Sequence, residues 1–278
     1  MNSAAFSLNL FKDLESMWQY DFMRHAFEVG TVVAIVAGVI GYFVVLRQSS
    51  FAAHALSHVG FAGAAGAVLI GLSPLAGLLA FTVGGGITMA ILGPRATNRD
   101  VQIGTVLAFM LGLGSLFIRL YQGYATEAYS ILFGDIFGVS RTDVLTTLIA
   151  AVILLGMTAY IYRPLLLSCL DEDVAEARGL PVFGLSMAFM VLVAVTTSIA
   201  VQVVGVLLIF ALMVTPAAIG QRIARRPAQG ILISVLIALF ATWFGIFISF
   251  YVNWPPSFFI PAVTFAIYIG VRLWQTVR

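Results

Sequence analysis

The stretch Ser50-Phe-Ala-Ala-His-Ala-Leu-Ser-His-Val-Gly-Phe-Ala-Gly63 contains no charged side chain, is built mainly from small and apolar residues, and carries two histidines, His54 and His58. It opens an apolar run over 51–71, and about 20 such residues cross a bilayer as a helix. Positions i and i+4 share one helix face, so the two imidazoles project the same way. The chain has 3 histidines and two of them are here. Ionisable groups inside a membrane segment are costly and mark a polar path or a site. Imidazole is also the commonest side-chain ligand of first-row transition metals. The pair is therefore expected to line a route for a divalent metal ion.

Outward from this segment the chain has the same character. Of 278 residues, 61% are hydrophobic and 9% charged, against roughly a quarter charged in a soluble domain. Nine stretches are apolar enough to span: 27–46, 51–71, 74–93, 101–121, 143–162, 181–199, 203–221, 229–252 and 257–274. The expected fold is an all-α polytopic bundle of eight or nine spans, the count turning on the short connection around Gln202. It forms one transmembrane domain, 27–278, after a lead-in segment, 1–26. Met1 to Met23 includes Asp13, Glu15 and Asp21 and lacks the basic start and apolar core of a cleaved signal peptide. A single cysteine, Cys169, excludes an intrachain disulfide.

Arginines orient the bundle. Arg47, Arg95, Arg99, Arg163, Arg178, Arg222, Arg225, Arg226, Arg272 and Arg278 fall at one side, whereas Lys12, Arg24, Arg119 and Arg141 fall at the other. The richer side is expected to be cytoplasmic, which for nine spans puts the N-terminus outside and the C-terminus inside. Two connections are long enough for a task of their own. The outer one, 122–143, carries Glu127 and Asp135, which can draw cations toward an entrance. The inner one holds Asp171-Glu-Asp-Val-Ala-Glu-Ala-Arg-Gly179. Its acidic start and closing glycine fit the two ends of a short helix.

Other features are less specific. Gly84, Gly85 and Gly86 in the third span permit close packing or a break, and Pro216 kinks or ends its helix; both are candidate hinges. A hydrated loop is as ready an explanation of Glu127 and Asp135, and a packing role competes for the histidines. No phosphate-binding G-x-x-x-x-G-K-[ST] occurs and Lys12 is the sole lysine, so ATP hydrolysis by that route is not expected. H-E-x-x-H and G-x-S-x-G are absent too, as is any basic patch interleaved with aromatics. A metalloprotease, a serine hydrolase and a nucleic-acid binder are thereby disfavoured.

Three stretches together resemble the permease subunits of bacterial ABC importers for zinc, manganese and iron. They are Ser50 to Gly63; Asp171 to Gly179 with Ala175 at its centre; and Val204-Gly-Val-Leu-Leu-Ile-Phe-Ala-Leu-Met-Val-Thr-Pro-Ala-Ala218. The likeness runs from about Phe22 to the last span. It implies a homodimer or a dimer of close paralogues in the bacterial inner membrane, moving its ion by ATP-driven alternating access. Two ATP-binding subunits would dock on the loop containing Asp171, Glu172, Ala175 and Gly179, and an extracytoplasmic metal-binding protein would deliver the ion. The chain itself would be no enzyme and hold no permanent cofactor, only a transported zinc or manganese ion. The family pattern pairs an aspartate with a histidine four residues later; here His54 stands at the aspartate position and His58 at the histidine position. That exchange removes a hard oxygen donor and favours zinc over manganese; two subunits would offer four imidazoles, a number zinc accepts tetrahedrally. The alternatives are a permease for an iron chelate or vitamin, and a gradient-driven secondary cation transporter using the two histidines as a proton relay.

Overall fold

The computed structural model describes residues 17–92, 99–120, 134–252 and 254–276, with backbone only at Arg99 and Leu207. Lys12, Asp13, Glu15, Arg95, Glu127 and Arg278 lie outside the described residues. The helices are α1 (Asp21–Leu46), α2 (Ser50–Leu69), α3 (Pro74–Leu92), α4 (Arg99–Leu120), α5 (Arg141–Tyr160), α6 (Tyr162–Leu170), α7 (Glu172–Ala177), α8 (Val182–Val204), α9 (Val206–Ile223), α10 (Pro227–Val252) and α11 (Pro256–Thr276). The all-α expectation holds. Eight of the helices are long and apolar enough to cross a membrane, and α9 is a shorter apolar helix. So the segment that leaves the count between eight and nine is the second of the pair around Gln202.

That pair is parted elsewhere than expected. Gln202 remains helical, and the break falls at Gly205, where φ is +82° and ψ 163°. A side chain at Gly205 would be strained in this conformation, so the one residue free to adopt it makes the corner. α1 likewise starts at Asp21, six residues before the expected span. Its first turns carry Asp21, Arg24, His25 and Glu28, and an Asp21–Arg24 ion pair of 2.5 Å sits there. This is a wet end that hydropathy discounts but hydrogen bonding tolerates.

α5 begins with a capping box, in which Ser140 and Asp143 each satisfy the other's backbone N–H. α7 is defined at both ends. Asp171 accepts from the Val174 N–H at 3.0 Å. Gly179, at φ +76°, ends the helix, its N–H bonded to the Glu176 carbonyl and that of Leu180 to the Ala175 carbonyl. The short helix expected between the fifth and sixth long spans is therefore present.

Close backbone approach organises the interior. A Cβ at Gly63 would collide with the Gly77 carbonyl oxygen, and one at Gly77 with that of Gly63, so α2 and α3 cross main chain to main chain. Gly41 of α1 meets the Met213 carbonyl of α9 in the same way, and Gly38 meets Val235 of α10. Hydroxyls add bridges. Thr82 of α3 bonds Ser198 of α8 at 2.5 Å, Ser234 of α10 donates to the Gly38 carbonyl at 2.9 Å, and the Trp243 indole donates to Thr31 at 2.9 Å. α4 and α11 are the least buried of the eight long spans.

One end of the bundle gathers the C-terminus of α1, α6, α7, and the start of α10. There Arg47 reaches Glu172, Tyr42 packs on Gly230, and Gln221 donates to the Tyr42 carbonyl. Arg222 and Gln275 bring the ends of α9 and α11 to a common level. Of the ten basic residues assigned to one side by sequence, Arg47, Arg163, Arg178, Arg222, Arg225, Arg226 and Arg272 sit on or next to these helices, while Arg99 starts α4.

Candidate metal-ion path

His54 and His58 occupy the first half of α2, after a turn without polar side chains except Ser50 and before the glycines that seat on α3. Their rings lie 4.7 Å apart at 82°. The ring of Phe210, near the start of α9, stands 4.8 Å from His54. Neighbouring residues fix the depth: Leu56 and Val59 face Gly85, and Gly60 faces Leu78 and Thr82, all in the body of α3. Thr82 and its partner Ser198 thus mark the level of His58 in the interior.

Both imidazoles are half-buried, on the side of α2 that α3 does not cover. Phe210, which stands against His54, is half-buried too, as are Val214 and Thr215 further along α9. Neither imidazole forms a hydrogen bond among the described residues, and His54 Nδ1 is buried without a partner. A packing histidine ordinarily satisfies its ring nitrogens. Here nitrogen lone pairs remain free, as metal ligation requires. Among the described residues no group of three or more His, Cys, Asp or Glu forms a metal cage. One chain therefore offers a pair of donors, suited to brief contact rather than tight capture. Cys169 is no third ligand: it sits on α6 by Arg47 and Glu172, and burial pushes its thiol up to about 11, leaving it protonated at neutral pH.

The remaining predicted residues are dispersed. Asp171, Glu172 and Gly179 are exposed on and around α7, at the end of the bundle where Arg47 meets Glu172, while Ala175 is fully buried beneath it. Asp135 is exposed at the opposite end, where its carboxylate accepts the Gly138 N–H at 3.0 Å. This is a turn-forming bond, and Gly134 beside it presses on the Val204–Gly205 corner. Glu127 lies outside the described residues. α3 is unbroken through Gly84–Gly86; Gly85 contacts α2 and Gly86 contacts Met190 and Ala194 of α8, while Gly84 faces open space. Pro216 is buried in the middle of α9.

Two contributors escaped the sequence reading. Phe210 carries no signal beyond being one of 22 phenylalanines. Arg47 stands in sequence as one more basic residue at a span end, yet its side chain is 5% exposed and holds Glu172.

The architecture is that of a metal ABC permease. It matches the solved PsaBC of Streptococcus pneumoniae in complex with Fab at a TM-score of 0.84 and 28% identity, over 94% of this chain and 95% of that one. The chain belongs to the ABC 3 transport family, whose pattern it matches over residues 19–275. It is 30% identical over 241 residues, 86% of each chain, to the manganese transport system membrane protein MntC of Listeria monocytogenes. It is 24% identical over 231 residues to the high-affinity zinc uptake system membrane protein ZnuB of Haemophilus influenzae, covering 83% of this chain and 88% of that one.

Proposed function

We propose that this chain is the permease of an ATP-driven importer of divalent transition-metal ions, and that His54 and His58 form the polar step of the ion's path. The observation that carries the reading is the imidazole pair with free nitrogen lone pairs on a half-open face deep in the bundle. That face is closed by a second copy of the chain or a close paralogue, which brings the donor count to four. Neutral imidazoles receive the cation and protonated ones repel it.

The basic end is cytoplasmic, in a bacterial inner membrane. Residues 27–278 act as one permease domain and 1–26 as its lead-in. ATP-hydrolysing subunits dock on α7, whose Glu172, Asp173 and Glu176 face outward around the buried Ala175. An extracytoplasmic binding protein supplies the ion at the end where Glu127 and Asp135 lie. Closure of the ATPases moves α7, and the dimer axis opens alternately to each side. Pro216, which removes one helix hydrogen bond from α9, is the better placed hinge, since Gly85 and Gly86 are already used as contacts.

The names of the relatives divide between manganese and zinc. Nitrogen donors at both positions favour zinc. Reconstituting the permease with its ATPase and binding protein in liposomes, and measuring zinc and manganese uptake with ATP inside or omitted, tests both levels. ATP-dependent uptake with zinc ahead is expected. Manganese ahead overturns the preference, and uptake by the permease alone under an ion gradient overturns the ABC mechanism.

A further inference from the structure

We propose that Arg47 is the positioning residue through which movement of α7 reaches the histidine pair. The inference rests on the reading of α7 as the ATPase dock and adds the internal link that reading lacks.

Arg47 is the C-cap of α1 and lies three residues before the start of α2. The elbow between the two helices is tight. Gln48 holds φ +55°, the one positive φ among the described non-glycine residues. The Ser49 N–H bonds the Val44 carbonyl at 2.8 Å, and the Ser49 hydroxyl bonds the Arg47 carbonyl at 3.3 Å. His54 comes one helical turn after Ser50. A displacement at Arg47 therefore passes into the first turns of α2 with little slack.

The guanidinium ties the end of α1 to two further elements, α7 and α8. Its Nη2 donates to Glu172, the first residue of α7, at 3.3 Å, and to the Ser186 hydroxyl of α8. Its carbon lies 5.9 Å from the Phe189 ring centroid. Glu172 is the sole carboxylate paired with it among the described residues. Nε and Nη1 are buried without a hydrogen-bond partner.

An arginine serving only to hold the fold together would be expected to have its fork filled, because unsatisfied buried donors are costly. Here the fork is half used, and its only counter-charge sits on the element that a partner protein would grip. Glu172 is itself 57% exposed, so it can move with α7. If α7 shifts, Arg47 either follows Glu172 or stays behind as a buried, unpaired charge. Following is the less costly course, and it carries the elbow along. The two idle nitrogens leave the guanidinium donor capacity for a second arrangement, which is what a two-position link requires.

The test uses the full transporter in proteoliposomes, with ATP hydrolysis and zinc uptake measured in the same vesicles. For Arg47→Gln and Glu172→Gln, ions moved per ATP should fall about tenfold, a coupling loss within the ordinary range. Arg47→Lys, which keeps charge without the fork, should fall between these and the wild type. The exchanged pair Arg47→Glu with Glu172→Arg should recover part of the loss. Hydrogen exchange in Ser50–His58 should respond to trapped ATP in the wild type and not in Arg47→Gln.

An unchanged ratio of ions to ATP overturns the proposal, and so does a parallel loss of hydrolysis and uptake with the exchange response intact. If Arg47→Gln fails to assemble, Glu172→Gln decides, since its side chain is more than half exposed. A wild-type complex that moves no metal refutes the proposed function instead, before any variant is compared.

Discussion

Helix α2 has two faces made from the same modest alphabet, and they serve different ends. On one, Gly60 and Gly63 let α3 approach until the two main chains touch, with Leu56 and Val59 packed beside them. On the other, His54 and His58 stand half-buried without a hydrogen bond among the described residues, His54 against one phenylalanine of α9. Small residues on the first face reduce distance. Polar residues on the second retain cost that no neighbour within the described chain offsets. The contrast separates what the fold needs from what it carries: a substitution on the packed face should register as stability, and one on the open face as transport.

The largest effect is expected at His58. His58→Ala removes a donor from the open face without touching α3, so insertion, dimerisation and thermal stability should persist. Zinc uptake should drop by at least about 100-fold, at or above the range for weakening a metal site's supporting residues. Metal uptake assays paired with size-exclusion profiles check this; normal uptake would merge the two faces into one structural role.

On the packed face the sign reverses. A methyl at Gly63 meets the Gly77 carbonyl and the Phe81 side chain, and one at Gly77 meets the Gly63 carbonyl and Ala67. Main chain has no rotamer by which to yield. Gly63→Ala should cost about 1–3 kcal/mol through overpacking, more than the ~1 kcal/mol that alanine adds to a helix. A lower melting temperature in detergent, with uptake per folded complex preserved, is the expected pattern. A stability equal to wild type would mean that α2 and α3 are not seated as described.

His54→Asp probes the open face more finely. It exchanges nitrogen for carboxylate oxygen beside His58, the pairing the wider family resemblance would place there. The zinc-to-manganese uptake ratio should move toward manganese by a factor of about 5–10, the scale of a 1–1.4 kcal/mol change in relative binding. Competition between the two ions in the same vesicles reads this directly. An unmoved ratio would place metal choice elsewhere than in this pair.

How much of this was legible beforehand follows from the same contrast. Hydropathy located the long helices because apolar length is a property of each segment alone. The i, i+4 spacing joined His54 to His58 for the same reason. The acidic start and Gly179 gave α7, since caps are written locally. The α8–α9 corner was misplaced by three residues because Gln202 is polar but helix-compatible, whereas Gly205 alone accepts φ +82°. Phe210 and Glu172 reach their partners His54 and Arg47 across 156 and 125 positions of chain, and nothing in a single sequence records such distances. Apolar composition also gave no means of telling the interior α2 from the peripheral α4 and α11; spans in lipid are apolar on whichever side they face.

The smallest effect is expected at Gly84, and it sets the limit of the contrast. Its triplet supplies both kinds of position within three residues: Gly85 and Gly86 are contacts, whereas a Cβ at Gly84 would meet nothing within 4 Å. α3 stays helical through all three, so the glycine's extra backbone freedom is unused in this conformation. Gly84→Ala should then leave stability level or raised by up to about 1 kcal/mol. Uptake should stay within about twofold, as for other substitutions that touch no neighbour. A tenfold loss of uptake without loss of stability would show that α3 bends at Gly84 during the cycle. Helix freedom would then join the two histidines of the proposed ion path as a feature of transport rather than of packing.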